Sequence, residues 1–113
     1  GDDCNAAEFE EAKMKEIGLI DEIYPRYRST YYAHIFSGGY SAGYYVYYWA
    51  AVLDADAFNY FKESGDLFNP ELAAKFRQHC LQECGNDEGM VQYKKFRGQE
   101  PSNEPFLKKH GLN

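Results

Sequence analysis

The sequence predicts an all-α chain, and three observations carry that prediction. Segments of helical periodicity begin at residues that cap helices and stop at glycines. A long run rich in aromatic and small residues, 41–64, has the length of a helix. No internal repeat, low-complexity stretch or flexible linker interrupts the order, so residues 1–113 are expected to form a single unit.

The first element is "CNAAEFEEAKMKEIG". Asn5 suits the cap, Glu8 falls three residues later as in a capping box, and Gly18 suits a left-handed close. Phe9 and Ile17 lie two turns apart and share a face. "LIDEIYPRYRST" reads as irregular or extended, because Pro25 disfavours helix at Tyr24. After three glycines comes "SAGYYVYYWAAVLDADAFNYFKES", the long helical candidate. "NPELAAKFRQHCLQECG" is next, with Asn69 as cap, Pro70 in the first turn and Gly85 at the end. "DEGMVQYKKFRG" closes at Gly98. "SNEPFLKKHG" is last, with Lys108, Lys109 and His110 where positive charge suits the helix dipole.

Composition excludes several functions. A net charge of −6 argues against nucleic acid, which requires clustered cations. It also disfavours anionic membrane surfaces, and no apolar run approaches the roughly 20 residues that span a bilayer. The acidic first residues contain no apolar signal core. The cysteines, Cys4, Cys80 and Cys84, are odd in number. Cys80 and Cys84 continue the stripe of Leu72 and Phe76, as buried or half-buried free thiols in a reducing compartment. A zinc site there would need two further ligands, and His79 points to another face.

The segment "HIFSGGYSAGYYVYYW", residues 34–49, holds five tyrosines, one histidine, one tryptophan and three glycines. If a helix runs through 40–53, Tyr40, Tyr44 and Tyr47 fall at i, i+4 and i+7 and share a face. Trp49, Val52 and Tyr45 then fall on the far side with Leu53 and Val46, as a core stripe. No Asp, Glu, Lys or Arg lies between Arg28 and Asp54. A helix apolar all round is normally buried in something larger than 113 residues. Two readings are open: aromatic packing with satisfied hydroxyls, or a wall of phenols facing a ligand that the glycines let approach. On the second, Tyr40, Tyr44 and Tyr47 line an open concavity or a self-association surface.

The run "PRYRSTYYAHIFSGGYSAGYYVYYWAAVLDADAF" resembles the C-terminal part of the M3 family of zinc metallopeptidases, its peptidyl-dipeptidase branch in particular. The pattern His-x5-Tyr-x6-Tyr-x-Trp with a preceding double glycine carries the resemblance. "FNPELAAKFR" and "YKKFRGQEPSNEPFLKKHGL" extend it over nearly the whole chain. The resemblance implies the C-terminal helical portion of a larger catalytic domain that encloses a deep channel. It implies zinc held by a His-Glu-x-x-His helix and a downstream glutamate. That motif is absent from this sequence, so the resemblance puts the zinc ligands and the general base outside the chain, with no metal site within it. His34, Tyr40 and Tyr47 match substrate-facing residues of the family, and Tyr44 a tyrosine used by some members. Gly38 and Gly39 match its glycine-rich loop. Ala50 and Ala51 replace a serine and a glutamate of the family pattern.

The expectation is a substrate-binding portion of a cytoplasmic peptidase, inactive alone. Its partners would be a peptide substrate and the remainder of the catalytic domain. Tyr47 would stabilise the reacting carbonyl, and His34, Gly38, Gly39, Tyr40 and Tyr44 would bind substrate. Two rivals are a freestanding helical interaction module with an aromatic partner-binding face, and an independent enzyme that pairs His34 with a tyrosine.

Overall fold

A computed structural model describes residues 4–112, and among these every regular element is helical. The chain divides into two compact units, residues 1–45 and 46–113.

The first unit opens with α1, Ala6–Glu16. The Asn5 side chain accepts from the N–H groups of Ala7 and Glu8 at 3.1 and 3.4 Å, and its amide donates to the Glu8 carboxylate at 3.0 Å. The reciprocal bond of the capping box thus runs between side chains. At the other end Gly18 has φ +82°. Its N–H donates to the Lys15 carbonyl, and that of Leu19 to Met14, which is the Schellman closure. Phe9 and Ile17 are exposed; the buried residue of this helix is Glu10. Residues 19–32 form turns without regular helix, as Pro25 implies. A single helical turn comes next, α2 (Ala33–Phe36), and then a 3₁₀ turn, Gly38–Tyr40.

The second unit begins with α3, Val46–Glu63. The helix expected through residues 40–45 does not form. Gly38 and Ala42 both have positive φ, +73° and +55°, and residues 41–45 are turn. Two left-handed residues within five positions cannot continue a right-handed helix. Tyr40 and Tyr44 therefore do not share a helical face with Tyr47. The expected core stripe also shifts along α3: Trp49, Val46 and Tyr45 are exposed, Val52 and Leu53 half-buried, and Ala55 and Asp56 buried.

Helix α4, Pro70–Phe76, is capped by Asn69, which accepts from the N–H groups of Glu71 and Leu72 at 3.0 and 3.1 Å. It widens into a π turn, Arg77–Gln82, where the Glu83 N–H reaches back five residues to the Gln78 carbonyl at 3.0 Å. The helix ends there, so Cys84 lies beyond it and is exposed, whereas Cys80 is half-buried. The sequence expectation of two thiols on one stripe fails for Cys84 for that reason. Helix α5, Gly89–Arg97, ends at Gly98, and α6 is Glu104–Lys109.

Phe96 of α5 is the centre of this unit, only 1% exposed. The rings of Tyr60, Phe61, Phe76 and Tyr93 surround it at centroid distances of 5.3–6.4 Å. Burying one such side chain contributes about 1.5–3 kcal/mol. Beside it lies Asp56, also 1% exposed. It accepts from the Tyr93 hydroxyl at 2.5 Å, and from Arg97 Nε and the Ser102 N–H at 3.3 Å. Arg97 reaches on to Glu63 at 2.9 Å, so α3, α5 and the segment before α6 are tied at one buried carboxylate. Such a group is tolerable only when its oxygens are satisfied.

Candidate functional site

Five rings gather in the first unit. His34 sits on α2, Tyr40 in the 3₁₀ turn and Tyr44 in the turn after it. The His34 centroid lies 5.3 Å from Tyr44 and 6.4 Å from Tyr40, and Tyr40 and Tyr44 meet edge to face at 5.6 Å. Tyr32 adds edge-on contacts to Tyr44 at 5.2 Å and to His34 at 6.2 Å, and stacks on Tyr27 at 5.0 Å. The tyrosine pairs take the stacked and T-shaped arrangements that ring quadrupoles favour, and His34 is tilted against Tyr40 and Tyr44.

Backbone turns, not helical periodicity, bring the rings together. The Ala42 N–H donates to the Ile35 carbonyl at 3.3 Å and closes residues 35–42 into a loop. Inside it the N–H of Ser41 reaches the Gly38 carbonyl at 3.2 Å, and just beyond it the N–H of Gly43 reaches the Tyr40 carbonyl at 2.8 Å. Gly38 occupies the left-handed region, where a side chain is strained. Gly39 does not, although at both glycines nothing lies within 4 Å of where a Cβ would stand. The two adjacent glycines therefore differ. The fold itself requires the first. The second is not required by its own backbone conformation, and a Cβ there would meet no neighbour.

The cluster is open to solvent. Tyr40 is 41% exposed, His34 is exposed, and Tyr44 and Tyr32 are half-buried. Tyr47 lies in the first turn of α3, in the second unit, and is 53% exposed. The structure thus joins His34, Tyr40 and Tyr44 around the glycine turn and gives Tyr47 a helical mount of its own. Sequence reasoning missed Tyr32. Its signal was the aromatic pair Tyr31–Tyr32 two residues before His34. It also missed Glu10, whose burial depends on partners 18 and 19 residues away.

In the second unit His79 Nδ1 lies 3.1 Å from a Glu83 oxygen, and this contact is the main cause that lowers the Glu83 pKa. The Gln92 side chain donates to the Glu83 carbonyl and braces the π turn against α5. Among the described residues, no three His, Cys, Asp or Glu side chains come together as a metal site. No helix there is long and apolar enough to cross a membrane.

Residues 4–112 match the family model described as peptidase family M3. The dipeptidyl carboxypeptidase of Salmonella typhimurium is 39% identical over 110 residues, covering 96% of this chain and 16% of that protein. The dipeptidyl carboxypeptidase of Escherichia coli is 46% identical over 95 residues, 83% of this chain and 14% of that protein. Oligopeptidase A of Escherichia coli is 47% identical over 81 residues, 72% of this chain and 12% of that protein. The chain therefore spans 12–16% of the length of these relatives.

Proposed function

This chain belongs to peptidase family M3, and on that premise we propose that it is the substrate-binding portion of a zinc-dependent peptidase that hydrolyses short peptides. The observation that carries the reading is the solvent-open cluster of His34, Tyr40 and Tyr44 on a glycine-hinged turn. The activity belongs to the full-length enzyme, and the isolated chain is inactive. The two units act together as one portion of the catalytic domain, in the cytoplasm, with a peptide and the rest of that domain as partners.

The described residues do not fit a zinc site. His34, His79 and His110 lack the spacing of a His-Glu-x-x-His motif, and no three candidate ligands converge. The proposal therefore assigns the zinc and its ligands to the remainder of the domain, and gives this chain the substrate.

His34, Tyr40 and Tyr44 hydrogen-bond the peptide backbone or its C-terminal end. The backbone at Gly38 and Gly39 passes close to it. Tyr47 donates its phenol O–H to the scissile carbonyl oxygen as negative charge develops there. A donor held on a helix needs no reorganisation at that moment, and this is how such groups lower a barrier.

Steady-state kinetics of the full-length enzyme on a short peptide, with metal content verified, test the proposal. Tyr47→Phe keeps the ring and should lower kcat by about 10²- to 10³-fold, roughly 2.7–4 kcal/mol, with little change in KM. Tyr40→Phe should act partly on KM. Gly39→Ala meets no neighbour in the fold, so a raised KM would report the approach of substrate. An unchanged kcat for Tyr47→Phe removes Tyr47 from the mechanism. Unchanged KM in both other variants reduces the cluster to packing.

A further inference from the structure

Glu10 is the one described residue of the first unit that is buried, at 8% exposure, and it is charged. Its neighbours on α1, Phe9 and Glu11, face solvent. Burial of a carboxylate is costly unless donors satisfy it, and here three do. Arg28 Nε donates to one oxygen at 2.6 Å. The Ser29 N–H and hydroxyl donate to the other at 2.7 and 2.6 Å. The Ser29 bonds, hydroxyl first, and then Arg28 hold the Glu10 pKa down at about 2.

The turn that Glu10 grips leads directly into the ring cluster. The Arg28 carbonyl accepts from the N–H groups of Tyr31 and Tyr32 at 3.0 and 2.9 Å. Tyr32 then touches both His34 and Tyr44. An unbroken series of contacts therefore runs from a carboxylate on α1 to two of the proposed peptide-binding side chains.

We infer that Glu10 is a positioning residue for the peptide-binding cluster: it fixes the 28–32 turn, and through Tyr32 it sets where His34 and Tyr44 present themselves to substrate. The inference rests on the peptide-site reading above. A carboxylate that merely anchored α1 would change stability alone. One that aims the cluster must also change substrate binding, through the very residues it aims.

A double-mutant cycle in the full-length enzyme separates these cases. Glu10→Gln keeps the shape but removes the charge and one acceptor for the Arg28–Ser29 donors. It should raise KM for a short peptide by about tenfold or more, with a smaller change in kcat, since tenfold corresponds to about 1.4 kcal/mol of binding, the size of one displaced hydrogen bond to substrate. In a His34→Ala background the same substitution should cost clearly less, because part of what it misplaces is already gone. Ser29→Ala removes one donor and should show the same coupling more weakly, which keeps the test in hand if Glu10→Gln folds poorly. Glu11→Gln, on the exposed pair with Lys15, should leave both parameters as they are. Additive effects of Glu10→Gln and His34→Ala on kcat/KM overturn the inference while leaving the peptide site standing. So does a Glu11→Gln variant that behaves like Glu10→Gln. If His34→Ala changes neither KM nor kcat, the peptide-site reading fails first, and the inference falls with it.

Discussion

The two units use the same kind of side chain in opposite ways. Around Phe96, aromatic centroids stand 5.3–6.4 Å from the central ring, which is 1% exposed. Around His34, rings stand 5.0–6.4 Å apart, and not one of the five is buried. The spacing is alike and the solvent exposure is not. Ring-to-ring distance therefore does not distinguish a sealed core from an open cluster. What distinguishes them is whether other elements close over the rings. In the second unit α3, α4 and α5 do so; in the first, among the described residues, the cluster stays open.

Substitutions can break that comparison. Phe96→Ala should cost about 3–5 kcal/mol, as the loss of a sealed aromatic side chain does. Urea unfolding of the chain measures it, and a cost under about 1 kcal/mol would mean that this cluster is no more a core than the other. Next in size is Tyr93→Phe. Burial first, and then the bond to Asp56, raise the Tyr93 pKa far above the usual phenol range, so the hydroxyl is a fixed donor. Removing it leaves Asp56 with Arg97 and Ser102 alone and should cost about 1–3 kcal/mol. The same unfolding curves decide, and a neutral Tyr93→Phe would show that Asp56 does not depend on that phenol.

Acid acts on the first unit. The folded pKa of Glu10, about 2, lies below its ordinary 4.5, so the stabilisation it brings is fully present above about pH 4.5. It is lost as pH falls from there through about 2. The near-ultraviolet circular dichroism of the tyrosine cluster should fade in that window, and the Glu10→Gln protein should lack the corresponding step. A cluster signal indifferent to pH down to 2 would separate Glu10 from the rings. The smallest effect concerns the thiols. Cys84 is exposed, whereas burial raises the Cys80 pKa, with Cys84 a lesser cause. Cys84 should react several-fold faster with a thiol reagent, read by peptide mapping; equal rates would place both at the surface.

Local chemistry was legible in the sequence, and long-range chemistry was not. The caps at Asn5 and Asn69 and the stops at Gly18 and Gly98 each depend on residues within five positions, and they formed as read. Tyr40, Tyr44 and Tyr47 satisfied helical spacing, yet α3 starts only at Val46, because backbone conformation at Gly38 and Ala42 overrides side-chain periodicity. His34, Tyr40 and Tyr44 still meet, by way of turns. Glu10 was illegible for a different reason. An acid on an acidic helix reads as solvated surface, and only the fold brings Arg28 and Ser29 to it. Asp56 was hidden in the same way, since its donors come from α5 and the segment beyond.

The π turn at Arg77–Gln82 also sets a length. A π turn holds more residues than an α turn, so here it takes up chain length at the end of the rod that begins at Pro70. Deleting one residue there would let the turn close as plain α-helix and shorten the connection that follows it by one residue. Glu83 would stay within one helical turn of His79, but its carbonyl would be drawn back from the Gln92 side chain that braces it. The π turn and α5 would then lose the hydrogen bond that joins them, while Phe76, upstream of the deletion, keeps its place beside Phe96. The wide turn works as a shim, and its length is as much a packing dimension as the volume of any side chain in the core.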